Sequence, residues 1–180
     1  MAMTVTATMA GAAANQHIYL QVEVLTGAVE AGGASTAGIG ASGGSSAGGS
    51  LTPNASNSLP CFAISADNPG VGSFTALSNN TIWASNVDAD DWLYGMGRYT
   101  GTVTSGTPVT FGGSCTSSDY TTWACYEVKP SGGSTPTVDA SSPALASATG
   151  AGIKTVTSAS FTPPAGSVLV AMIGLCSSTG

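Results

Sequence analysis

Residues 3–8 alternate apolar side chains with Thr, and residues 17–25, His-Ile-Tyr-Leu-Gln-Val-Glu-Val-Leu, are rich in β-formers with partial alternation. The pattern predicts two strands joined by the small-residue stretch Ala10 to Asn15. Further strands are expected at Leu59–Ser65, Phe74–Leu77, Thr81–Trp83 and Trp92–Tyr99, the last an aromatic strand facing both ways. Ala66-Asp67-Asn68-Pro69-Gly70 between them is turn chemistry. Thr107–Gly112 and Tyr120–Lys129 alternate as a half-buried antiparallel sheet requires, and Ile153–Phe161 and Val168–Leu175 complete the set.

Gly27 to Ser50 is nearly all Gly, Ala and Ser, with Val29, Glu30 and Ile39 as the sizeable side chains. Such composition normally means a flexible linker. The corresponding later stretch, Ser131 to Ala159, holds a credible strand, so Gly38–Leu51 is expected to hold a degenerate one. It would pair through backbone bonds while offering little side chain to pack.

That correspondence belongs to an internal repeat. Ser50–Ser65 and Ser160–Gly174 both begin with an apolar residue followed by Thr-Pro, Leu51-Thr52-Pro53 and Phe161-Thr162-Pro163, then pass through a small polar turn into an apolar segment of strand length. Met3–Val24 laid on Thr107–Val128 without a gap sets Tyr19 on Trp123 and Glu23-Val24 on Glu127-Val128. The spacings, about 104 and about 110 residues, fit one module with a loop insertion, which surface loops tolerate. On this reading residues 1–27 are the end of a module, 28–130 a complete one, and 131–180 a linker and the beginning of another. Either the chain is a piece of a longer repeat protein, or its terminal pieces pair with each other or with neighbouring subunits. The second would be strand complementation, in which exposed sheet edges are satisfied by another chain.

Composition sharpens the class. Of 180 residues only 7% are charged and 42% are hydrophobic, with 25 Gly and 9 Pro. Helix formers are sparse, and regularly spaced short strands predict an all-β fold, an antiparallel β-sandwich of jelly-roll type. Trp83, Trp92, Tyr99, Phe111, Trp123 and Tyr126 are expected to supply much of its core, at roughly 1.5–3 kcal/mol each. The formal charge of −6 and three scattered basic residues, Arg98, Lys129 and Lys154, argue against a nucleic-acid partner. The N-terminus lacks the basic and apolar regions of a cleavable signal, and no apolar stretch reaches the length of a membrane-spanning helix, so no membrane partner is expected.

Candidate chemistry is thin. Cys115 and Cys125 flank an expected hairpin, Thr116 to Ala124, and would bridge if it brought their α-carbons within about 5.5 Å. The other reading is that all four cysteines are small buried apolar side chains. The cluster Trp83, Asp88, Asp90, Asp91, Trp92 and Tyr94 suits glycan binding, because aromatic faces stack on sugars and carboxylates accept their hydroxyls. The plainer alternative is core tryptophans beside a solvated acidic turn. The three aspartates with Asp67 also raise Ca²⁺, though without the glycine-punctuated loop of a known calcium site. With one His, no CxxC and no nucleophile elbow, neither catalysis, a metal site nor a cofactor is expected.

Phe161-Thr-Pro-Pro-Ala-Gly-Ser-Val-Leu-Val, a Trp-bearing middle, Thr107-Pro-Val-Thr, Trp123-Ala-Cys-Tyr-Glu-Val and Val138-Asp-Ala-Ser-Ser-Pro together resemble the β-sandwich module repeated in minor tail and fibre proteins of actinobacterial phages and in some secreted actinobacterial proteins. The resemblance covers nearly the whole chain. Pro60-Cys61 departs from it, standing where the module has an aliphatic pair. It implies a structural or adhesive virion protein without catalysis: a minor tail or fibre protein, or a capsid decoration protein, assembling through sheet edges. Implied partners are other virion proteins, further copies of the chain in a homo-oligomer, and a host cell-surface glycan. A secreted carbohydrate-binding module is the alternative.

Overall fold

The computed structural model describes residues 1–9, 16–40, 43–67, 72–87, 92–116, 118, 120–150 and 154–177. Among these residues the chain is all β, in fifteen strands: β1 (Thr6–Met9), β2 (Gln16–Thr26), β3 (Ala28–Val29), β4 (Ser35–Gly40), β5 (Ser46–Leu51), β6 (Leu59–Asp67), β7 (Thr75–Ala76), β8 (Asn80–Val87), β9 (Trp92–Tyr99), β10 (Val109–Ser114), β11 (Thr121–Pro130), β12 (Thr137–Val138), β13 (Ala146–Gly150), β14 (Lys154–Thr157) and β15 (Val168–Ser177). They fall into two compact units, residues 27–137 and residues 1–26 with 138–180.

The continuous unit, 27–137, is an antiparallel sandwich. One sheet runs β4-β11-β6-β9-β8, with β3 beside the end of β11, and the other runs β5-β10-β7. Phe62 and Phe111 meet between them, their ring centroids 5.6 Å apart, among Ala47, Leu51, Ile64 and Leu93. The expected aromatic core is corrected here. Of the six aromatics only Phe111 is fully buried; Trp83, Trp92, Tyr99 and Trp123 are half-buried, and Tyr126 is exposed. Phe62 and aliphatic residues on the inward faces of β6 and β9 hold the centre instead.

After the short β3, the Gly/Ala/Ser-rich stretch forms two strands, β4 and β5, where one was expected. β4 pairs along β11 and β5 along β10. Small residues are required there because the Trp123 indole lies over both: a Cβ on Gly38 would run into its ring, and one on Gly49 would come within 2.7 Å of its Nε1. At the crossing of β5 and β10, Gly48 (φ 149°) and Gly112 (φ 134°) face each other in conformations that side chains disfavour.

β10 and β11 do not form the expected hairpin. Each belongs to a different sheet. Cys115 and Cys125 both border the core as free, buried thiols, and Cys61 is buried as well.

The other unit is built from the two ends of the chain. β2 is its central strand, with β13 on one edge and β15 on the other. β1 pairs β14, and Met3 and Phe161 extend that ladder by a further bridge. Ile18, Leu20, Val22 and Val24 of β2 pack against Ala7, Val156 and Phe161.

The two units share a pattern of ladders in permuted chain order. The ladders β11–β4, β11–β6 and β10–β5 of one correspond to β2–β13, β2–β15 and β1–β14 of the other. The pair Val128–Leu59 opens one ladder and Leu25–Val168 the other. On that register the inner-face row Leu20 with Ala146 and Ile173 takes the place of Trp123 with Gly38 and Ile64. The gapless alignment of the sequence is thus one residue out along β2. It sets Glu23 on Glu127, yet Glu127 shares the face of the inward Cys125 while Glu23 lies on the face opposite the inward Val22 and Val24, and a one-residue slip puts a side chain on the opposite face.

Candidate functional site

Three places bear on function, beginning with the aromatic and acidic cluster. Trp83 is on β8, and Trp92 and Tyr94 are on the neighbouring β9. Trp92, Tyr94 and Arg98 share the face of β9 turned away from the Phe62–Phe111 core. The Arg98 guanidinium carbon sits 4.9 Å from the centroid of the Trp83 ring, so that ring face already holds a cation. Tyr94 is only 3% exposed. Asp88, Asp90 and Asp91 lie outside the described residues, and the calcium reading with Asp67 goes with them. Among the described residues no cluster of three or more His, Cys, Asp or Glu is placed to hold a metal ion.

Glu127 comes next, and its role was not visible in sequence. Its carboxylate is fully buried and accepts hydrogen bonds from the backbone N–H groups of Ala34 (2.7 Å), Asn54 (2.8 Å) and Ala55 (2.8 Å). Burial works to raise its pKa. The three N–H donors outweigh this and hold the carboxyl below its ordinary value. The group ties the turn after β5 and the start of β4 to the central strand, which is a structural task. Beside it, burial and then the Glu127 charge push the Cys125 thiol up to about 12, which keeps it protonated and unreactive near neutral pH.

The last is the free edge of β15. β6 is hydrogen-bonded on one edge to β11 and on the other to β9, and it is buried almost throughout. Its counterpart β15 pairs with β2 alone among the described residues. Ala171, Ile173 and Leu175 lie on the same face as Val22, Leu20 and Ile18, the face turned toward β1 and β14. Even so, Ile173 is 46% exposed and Leu175 51%. Edge strands are usually shortened, charged or broken by proline. β15 runs for ten residues, Val-Leu-Val-Ala-Met-Ile-Gly-Leu-Cys-Ser, with neither charge nor proline. In the sequence this site shows as an apolar segment of strand length, Val168–Leu175.

Compared with protein-family models, with curated proteins and with solved structures, the chain matches none.

Proposed function

We propose that this chain is a structural or adhesive subunit that joins its neighbours through sheet edges, and that its assembly is the particle of a tailed phage. There it serves as a minor tail or fibre protein, or as a capsid decoration protein. The observation that carries the proposal is the edge of β15 that no described residue pairs with, with Ile173 and Leu175 exposed on its inner face, since an open, apolar strand edge is a template for another strand. The choice of particle rests on the likeness of the repeated module, from Phe161-Thr-Pro-Pro to Trp123-Ala-Cys-Tyr-Glu-Val, to phage tail modules.

Fractionation of virions with an antibody to this chain tests it. Co-sedimentation with intact particles, and no binding to isolated cell-wall polysaccharide, is the expected result. Polysaccharide binding that Trp92→Ala removes while leaving the chain folded, with no chain on particles, would replace the proposal by a carbohydrate-binding module.

A further inference from the structure

The inner face of the β6–β9 pair is matched by size. Ala66 faces Leu93, Ile64 faces Gly95, and Phe62 faces Gly97. The space over Ile64 belongs to the Phe74 ring, which a Cβ on Gly95 would approach to 2.8 Å. A Cβ on Gly97 would likewise strike the Phe62 ring. Large residues therefore face small ones along this pair, as close packing requires.

At the equivalent places β15 carries Leu175, Ile173 and Ala171. The order of sizes is reversed, with the large residue where β6 has Ala66 and the small one where it has Phe62. A strand laid antiparallel along the free edge must then be small opposite Leu175 and large opposite Ala171. The chain's own β9, with Leu93 first and Gly97 last, has the wrong order. β15 itself has the right one. An antiparallel pair of β15 strands centred on Ile173 sets Ala171 of each copy opposite Leu175 of the other, and Ile173 opposite Ile173. The second isoleucine then takes the space that Phe74 fills over Ile64.

We propose that two copies of this chain associate through antiparallel pairing of their β15 edges about a two-fold axis at Ile173. The inference rests on reading the chain as a subunit joined through sheet edges, and it names the neighbour. Such an interface is self-complementary: it satisfies the open backbone groups of both edges and covers the aliphatic row of both inner faces.

Sedimentation velocity of the full chain over a range of concentrations tests it. The wild type is expected to dimerise reversibly, and Ile173→Asp to raise the dimer dissociation constant by at least about tenfold without changing the circular dichroism spectrum. Ile39→Asp, at the most exposed apolar residue of β4, is expected to leave dimerisation unchanged, since Ile39 is 74% exposed on an edge the proposal does not use. Two further variants read the register. Ala171→Lys and Leu175→Glu each weaken self-association, but mixed in equal amounts they form a heterodimer, because the introduced ammonium of one chain then faces the introduced carboxylate of the other. A monomer at every concentration overturns the interface, as does a dimer indifferent to Ile173→Asp or a mixture that stays monomeric. A monomer that still co-sediments with particles would overturn this interface and leave the wider reading standing.

Discussion

Ile64 and Ile173 occupy the same place in the two units. Each sits on the inner face of the strand that follows the Thr-Pro pair, opposite Trp123 in one and Leu20 in the other. Ile64 is 3% exposed and Ile173 46%. Residue type, strand partner and facing are shared, so they do not set the difference. What differs is the next strand: β9 covers β6, while nothing among the described residues covers β15. Burial here is decided one strand away from the residue it concerns.

Truncating each isoleucine to alanine tests this directly, and gives the largest effect expected. Ile64→Ala leaves a cavity beneath Phe74 and should cost about 2–5 kcal/mol. Ile173→Ala removes atoms that solvent already reaches, and in dilute solution should cost about 0.5 kcal/mol or less. Urea denaturation with hydrogen exchange resolved by unit measures both. Equal costs would mean that the edge of β15 is already covered in the free chain.

The second contrast is polar. On the inner face of the central strand, Glu127 in the continuous unit stands where the permuted unit has Val24. The acceptor and one of its donors are missing together, since Pro164, which follows Thr162-Pro163 as Asn54 follows Thr52-Pro53, has no N–H to give. Glu127→Gln should therefore destabilise the continuous unit by about 1.5–3 kcal/mol at pH 7, the scale of a charge-assisted hydrogen bond. Because the folded carboxyl has a lowered pKa, its contribution is present above the unfolded value of about 4.3 and is lost as pH falls through the folded value. The gap between wild type and variant should thus close in acid. The Ser141 hydroxyl and N–H also hold Asp139 below its usual range, but Asp139 titrates in both proteins and cancels. A gap that stays constant from pH 7 to pH 3 would mean that the ionised form of Glu127 carries no share.

The all-β class and most strands were legible because alternation, Gly/Pro turns and the Thr-Pro echo are local signals. Val168–Leu175 was readable as an apolar strand. The face of β2 was not, because Ile18 through Leu25 are buried on both faces and the burial pattern therefore carries no alternation from which to fix the register. The aromatic core was misjudged for a similar reason. Trp83 and Trp92 look like core residues by type, but Trp92 shares the outward face of β9 with Tyr94 and Arg98, the Trp83 ring lies against that Arg98, and Leu93 on the same strand points inward toward Phe62. The glycines of β4 and β5 looked like a linker because the residue they accommodate, Trp123, is far away in sequence.

That accommodation gives the smallest and most local contrast. Trp123 faces Gly38 in one unit, and Leu20 faces Ala146 in the other, so a smaller central residue goes with a larger neighbour. Gly38→Ala should push its new methyl against the indole and cost about 1–3 kcal/mol, the scale of overpacking in a close-packed site. Trp123→Leu alone should also destabilise, by lost burial. Combined, the two changes reproduce the pairing of the permuted unit, and the cost of Gly38→Ala should largely vanish when measured in the Trp123→Leu background. Thermal denaturation of the four proteins closes the double-mutant cycle. Additive costs would show that Gly38 is needed for its backbone and not for the room it leaves, and the equivalence of the two rows would then fail at this position.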